Sequence, residues 1–325
     1  MTTAIPISLC IDIEPDKRCI YPTLRSPWSG FEDLYANHLS RYREMLAKAT
    51  GSPARFCWNM RLDPQIAHTY GSPDWAFQRY RGILDSLSAA GDEIGLHTHD
   101  WRWEPEAGCW VGDHNNTRWI EYCVRSSCRT YEACFGRAPR VFSFGDRFMS
   151  NRVMALLEEL GIVCDFSIEP GRRAVRGLVP TEKTTGWLPD YRKAPSTPYQ
   201  PSIRNFRKPG RRRKRNIWVL PVSTGWPEEP NGRKRSRSAE RVSMLLGYPF
   251  PAMRCILEQN LERPQPYILA IARSDVTLNT FDREQLELFL NHLAEHPMRD
   301  RFVFVPPLET LRQVTECSEA SLGAT

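Results

Sequence analysis

"FQRYRGILDSLSAAGDEIGLHTHDW", residues 77–101, joins two periodicities at a glycine. Phe77, Tyr80, Leu84 and Leu87 recur at helical spacing up to Gly91, and Glu93 to His97 then read as a strand. The same order returns twice. Ile120, Val124, Ser127 and Tyr131 precede Gly136 and the strand "PRVFSF" (139–144), and "NRVMALLEELG" (151–161) leads into "IVCDFSI" (162–168). Helix, glycine, strand in repetition is the pattern of an α/β fold.

Five further runs read as strands: "IPISLCIDI" (5–13), "ARFCWNM" (54–60), "NIWVLPV" (216–222), "PYILAIA" (266–272) and "RFVFVP" (301–306). The total of about eight suits a closed, mostly parallel (β/α) barrel. Residues 171–238 are rich in Pro, Gly and Arg and read as an insertion; without them the chain keeps 257 of its 325 residues. That is close to the usual barrel length of about 250. "NIWVLPV" lies inside this span, so part of it belongs to the barrel. The expected organisation is a single catalytic barrel over 1–313 and a flexible tail over 314–325, "VTECSEASLGAT".

Composition narrows the class. Apolar residues make up 41%, enough for a large core, and no run of about 18 apolar residues could span a bilayer. The opening "MTTAIPISLCIDIEPD" lacks the basic-then-apolar order of a secretory signal, so the expected location is the cytoplasm. Ten cysteines without a CxxC pair are expected to be free and mostly buried. The net charge of +6 is local: 12 of 44 Lys and Arg, but only 2 of 38 Asp and Glu, fall within 204–237, leaving 32 basic against 36 acidic groups elsewhere. Within it, "RKPGRRRKR" and "GRKRSRS" could hold a polyanion, while nucleic acid is not the expected partner.

In parallel α/β folds ligands bind at the carboxyl ends of the strands, and polar residues gather there. Asp12, Glu14 and Asp16 close the first strand, and Asn59, Arg61 and Asp63 the second. His97 and His99 close the third, Asp146 and Arg147 the fourth; Glu169 follows the fifth, and Arg273 with Asp275 follow "YILAIA". Side chains at i and i+2 of an extended segment share a face, so His97 with His99, and Asp12 with Glu14, can point together. Two imidazoles and a carboxylate make a metal triad with an open fourth position, as in catalytic zinc sites, and a second carboxylate beside it could take a proton from the attacking water. Trp101 and Trp103 could form a wall that stacks on a sugar, with core packing the alternative. Arg273 and Asp146 are counted among the substrate contacts. His292 and His296, on "REQLELFLNHLAEH", are expected at the surface.

The order of these motifs resembles the polysaccharide deacetylase family, the NodB-homology carbohydrate esterases. The resemblance implies a distorted (β/α) barrel of seven to eight mostly parallel strands, and removal of N- or O-acetyl groups from glycans with a divalent metal, commonly zinc. "CIDIEPD" looks like the family's D-x-D variant, which implies Asp12 as base and Glu14 as metal ligand. "EIGLHTHDW" is similar to the histidine motif H-[ST]-x-x-H, but its fifth position is Trp101; His97 and His99 then complete the ligand set. "FGDRF" resembles the arginine motif, which implies that Arg147 braces the base. The family's last strand carries a histidine that protonates the leaving amine, whereas "YILAIARSD" has Arg273, Ser274 and Asp275. Asp275 could supply that proton if its pKa were raised, and Arg273 could stabilise an oxyanion. The expected activity is metal-dependent hydrolysis of an acyl amide on an amino sugar or glycan. The alternatives are a barrel that binds a carbohydrate without turnover, and a polyanion binder that uses the basic loops.

Overall fold

Successive side chains of a strand face opposite ways, and the inward set of this chain changes character along each strand. The structure is a computed structural model that describes residues 4–21, 24–178, 182–227 and 240–322. Eight parallel strands form its main sheet: β1 Ile5–Ile13, β2 Cys57–Arg61, β3 Glu93–Thr98, β4 Val141–Phe144, β5 Cys164–Asp165, β6 Trp218–Val219, β7 Ile268–Arg273 and β8 Phe302–Phe304. Each lies inside a run read from the sequence or extends at most one residue past it, and six of them are shorter than their run by two or three residues at one end or both. Their order is β6-β5-β4-β3-β2-β1-β7, with β8 paired to the first residues of β1. Beyond β6 the chain ties the two edges together: Val222 N donates to Ile168 O (3.0 Å) and Ser223 N to Leu269 O (3.0 Å). The result is a distorted (β/α) barrel.

Near the amino ends of the strands, Cys10, Cys57, Val141, Cys164 and Leu269 form one apolar cluster. Leu311 and Val314 of the last helix, Pro307–Leu322, join it, and Thr310 Oγ1 bonds Ser8 Oγ on β1 at 2.8 Å. This helix seals the floor of the barrel. The helix runs on past residue 314 to Leu322, and Leu311 and Val314, three apart, share its buried face. The nine cysteines described are free, seven of them buried. Helices Trp75–Ala89, Thr117–Phe135 and Asn151–Glu159 pack outside, as their spacing predicts. Gly136, at φ +66°, closes the second of these in the left-handed conformation that glycine adopts freely.

Within 171–238 the chain also forms a small hairpin, Pro201–Ser202 with Asn205–Pro209, beside the exposed basic run Arg211 to Lys214. "GRKRSRS" lies outside the described residues. A second hairpin, Trp101–Glu104 with Cys109–Asp113, pairs with Lys183–Thr185. No helix among the described residues is long and apolar enough to cross a membrane.

One buried acid on the barrel wall has no cationic partner. Asp165 on β5 is fully buried; Ser167 Oγ donates to its Oδ1, Oδ2 has no partner, and burial pushes its pKa up to about 7. A carboxyl whose pKa rises on folding stabilises the fold below its unfolded pKa of about 4, and that contribution drains away as the pH climbs through the folded value. Asp165→Asn is therefore expected to raise stability by a few kcal/mol at pH 8 and to gain nothing at pH 4, as read by urea unfolding at the two pH values.

Candidate active site

The carboxyl ends of the strands bring polar residues together in registered rows. Asp12 on β1 pairs with Asn59 on β2 and with Arg273 on β7, and Asn59 pairs in turn with Gly95 on β3. One inward step higher, Arg61 on β2 neighbours His97 on β3, and His97 neighbours Ser143 on β4. Above these rows opens a cavity of about 530 Å³, lined by Asp12, Glu14, His97 and His99 together with Arg147, Arg273 and Asp275. Residues from both ends of the chain thus share one chamber.

Glu14, His97 and His99 converge. His97 Nε2 lies 3.0 Å from His99 Nε2, which lies 3.7 Å from a Glu14 oxygen. All three residues are buried. Burial, helped by His99, holds the His97 pKa down to about 3, so its imidazole is neutral. Burial pulls Glu14 the other way, but Arg273, His99, His97 and Arg61 together outweigh it and hold its pKa to about 2. Arg273 Nη1 donates to Glu14 Oε1, and Arg61 Nη1 reaches Oε2 at 3.4 Å. A carboxylate has about four lone-pair sites, so these contacts leave room for a further ligand bond.

His99 has a choice of tautomer. Its Nδ1 meets the Trp101 indole N–H at 3.1 Å and the Asp146 carboxylate at 3.3 Å, the first only a donor and the second only an acceptor here. With its proton on Nδ1 toward Asp146, Nε2 presents a lone pair beside that of His97, the arrangement of a carboxylate-supported metal ligand. An anionic carboxylate and two imidazoles able to turn lone pairs inward fit a divalent cation such as zinc. Asp146 is itself held in place, since Arg18 Nη2 donates to it at 2.6 Å and its backbone takes φ +55°, rare for a residue with a side chain. It thus stands behind His99. Trp101 is buried with its indole turned to His99 and does not line the cavity, so the stacking wall expected of it is absent. Trp103 stacks on His68 at 5.9 Å and meets Trp110 edge-on.

Asp12 sits below this trio. Asn59 Nδ2 donates to its Oδ1 at 2.9 Å, and His97 Nδ1 is 3.7 Å away. Burial first, then the Glu14 charge, raise its pKa to about 7 against the opposing pull of Asn59 and Arg273. The Cys57 thiol donates to Asn59 Oδ1 at 3.3 Å, which fixes the amide with its NH2 toward Asp12. Gly95 leaves the space: a methyl there would come within 2.6 Å of that oxygen. Asn59 therefore supplies the brace that the resemblance implied for Arg147. Arg147 instead donates Nη2 to the Arg173 carbonyl at 3.0 Å and lies 3.9 Å from Glu169. Asn59 stands among the strand-end residues of the sequence, but its role depends on a register that single-strand patterns do not encode. Asp275 accepts from Arg273 Nε at 3.1 Å; burial raises its pKa although Arg273 opposes the shift.

A second group, Glu258 with His292 and His296, also clusters. His296 is buried rather than at the surface, because its ring packs on Phe302 and caps the end of helix Thr280–Glu295. The Met298 N–H donates to its Nδ1 at 3.1 Å, so its proton resides on Nε2, which faces Glu258 at 3.3 Å. That nitrogen is a donor, not a ligand.

No protein-family model matches the chain, and a search of the curated proteins gives no match. Its likeness to known proteins lies in the fold. A structure from Parabacteroides distasonis named for a glycoside hydrolase/deacetylase superposes with a TM-score of 0.58 at 12% identity, covering 94% of this chain and 70% of that one. A protein from Mycobacterium smegmatis assigned by name to the polysaccharide deacetylases gives 0.53 at 12% identity, over 97% and 92% of the two chains. The Puue allantoinase gives 0.52 at 11% identity, over 95% and 90%. The chain therefore has the barrel fold of polysaccharide deacetylases, shared with an allantoinase.

The packing around His99 is tight enough to test. A methyl on Gly145 would collide with three atoms of the His99 ring. Gly145→Ala is expected to lower stability by about 1–3 kcal/mol, the usual range for overpacking, measured by denaturant unfolding.

Proposed function

We propose that this protein is a metal-dependent hydrolase that removes an acyl group, foremost N-acetyl, from an amino sugar or a glycan. The observation that carries this reading is the convergence of Glu14, His97 and His99 beside Asp12 in one cavity at the carboxyl end of a deacetylase-like barrel. Glu14, His97 and His99 would hold the cation, foremost zinc, for which two imidazoles and a carboxylate are a usual catalytic ligand set. When bound, such a cation polarises the acyl oxygen and eases deprotonation of the attacking water. Asp12, held by Asn59 with its pKa near neutrality, takes the proton from that water. Asp275, whose pKa is raised by burial, returns a proton to the departing amine nitrogen, in the place where the family carries a histidine. Arg273 keeps Glu14 ionised and is placed to meet negative charge developing on the acyl carbon's oxygen.

The rival reading is a barrel that binds a glycan without turnover, favoured by Arg273 standing where a proton donor is expected. Acetate release from N-acetylated amino sugars separates the two. The wild-type protein is expected to carry about one zinc per chain, as such a triad binds one, and His97→Ala combined with His99→Ala to carry none, by elemental analysis. Undiminished zinc in the double variant would remove these ligands from the mechanism. Asp12→Asn is expected to keep the metal and lose about 10²–10⁴-fold in kcat, the usual worth of a positioned base.

A further inference from the structure

The cavity has a second charged wall, three strands round the ring from β1, and its cation is only partly compensated. Arg147 follows β4, lines the cavity, and its side chain is 1% exposed. Its Nη1 has no hydrogen-bond partner among the described residues. Its Nε has none either, since Glu169 stands 3.9 Å away. That carboxylate is also committed elsewhere: Ser243 Oγ donates to Glu169 at 2.7 Å, and Arg172 shares it at 3.7 Å. The position of Arg147 is imposed rather than relaxed. Its own φ is +53°, directly after Asp146 at +55°, and the Tyr191 hydroxyl pins its carbonyl at 2.8 Å. Burying a guanidinium with open donors costs several kcal/mol unless an anion meets it, and a strained backbone that holds it there points to use. Burial lowers the Arg147 pKa in spite of Glu169, in keeping with a charge short of compensation.

We propose that Arg147 is the receptor for an oxyanion carried by the substrate, so that the acylated amino sugar of the preceding section also bears a carboxylate or a phosphate ester. The inference rests on that reading for the sugar, but not for the receptor. A cavity of about 530 Å³ has room for a monosaccharide whose acyl group faces Glu14, His97 and His99 while its anion meets the β4 side. Held at both ends, the sugar presents its amide in one orientation.

Calorimetric titration with four probes tests this: inorganic phosphate, glucuronate, N-acetylglucosamine and N-acetylglucosamine 6-phosphate. The anionic sugars are expected to bind at least tenfold more tightly than the neutral one, and the stronger of glucuronate and the phosphorylated sugar identifies which oxyanion is recognised. Arg147→Gln should abolish the preference, with folding checked by circular dichroism. Glu169→Gln should strengthen anion binding several-fold, an opposite sign that a merely structural role for Arg147 does not produce, and it keeps the test open if Arg147→Gln does not fold. Equal affinity for neutral and anionic sugars, or a preference that survives Arg147→Gln, would overturn the proposal. The same titrations on the His97→Ala, His99→Ala double variant separate the two readings. Arg147-dependent phosphate binding without affinity for any amino sugar would uphold the receptor and sink the sugar hydrolase.

Discussion

The charge on Glu14 organises this molecule. A lone carboxylate so deeply buried would take up a proton, and burial is indeed the largest single influence on it. It stays ionised because guanidinium groups from β2 and β7 and imidazoles from β3 and the loop just after it surround it. One carboxylate at the end of β1 thereby ties together the carboxyl ends of four strands. The arrangement is costly to assemble and costly to break, since removal of either arginine leaves charge uncompensated in a dry interior. That same dependence makes the site specific: the acid can serve a cation or its arginines, and the geometry lets it serve both.

The two carboxylates two residues apart illustrate how environment divides labour. Glu14, near four cationic or potentially cationic groups, is held to about 2, while Asp12, with a neutral amide as its hydrogen-bond donor, is lifted to about 7. This separation is what the proposed roles of Glu14 as ligand and Asp12 as proton acceptor draw on. An arginine in place of Asn59 would drag Asp12 down toward Glu14 and erase the difference. The neutral brace is thus as much a part of the chemistry as the acid it holds.

The strands are legible in the sequence because each is a short apolar or β-branched run, several of them set between a glycine-ended helix and a polar tip, and local pattern alone defines such units. The polar tips likewise point to Asp12, Glu14, His97 and His99, since i and i+2 on one strand share a face whatever lies next to it. What is not legible depends on neighbours from elsewhere in the chain. Asn59 faces Asp12 only through strand register, and Arg147 turns away from Asp12 because two successive left-handed residues redirect its side chain. Trp101 has the pattern of a ring facing the cavity, but the hairpin Trp101–Glu104 with Cys109–Asp113 folds it inward against His99. His296 and the helix beyond residue 313 escape local pattern for one reason: short amphipathic stretches are polar on average, and only the surface they meet decides which side is covered.

Directly beneath the charged layer lie Cys10, Cys57 and Cys164, shut off from water. Burial raises the pKa of Cys57 and Cys164 well above that of a free thiol, which leaves almost none of the thiolate that oxidants and electrophiles attack. Beyond the hydrogen bond from Cys57 to Asn59, these sulfurs are therefore inert packing, and the chamber's floor should stay chemically silent toward peroxide or alkylating reagents. Among the described cysteines, inactivation by such reagents would begin at the more accessible Cys134 or Cys255, on outer helices away from His97 and His99, through loosening of the packing there.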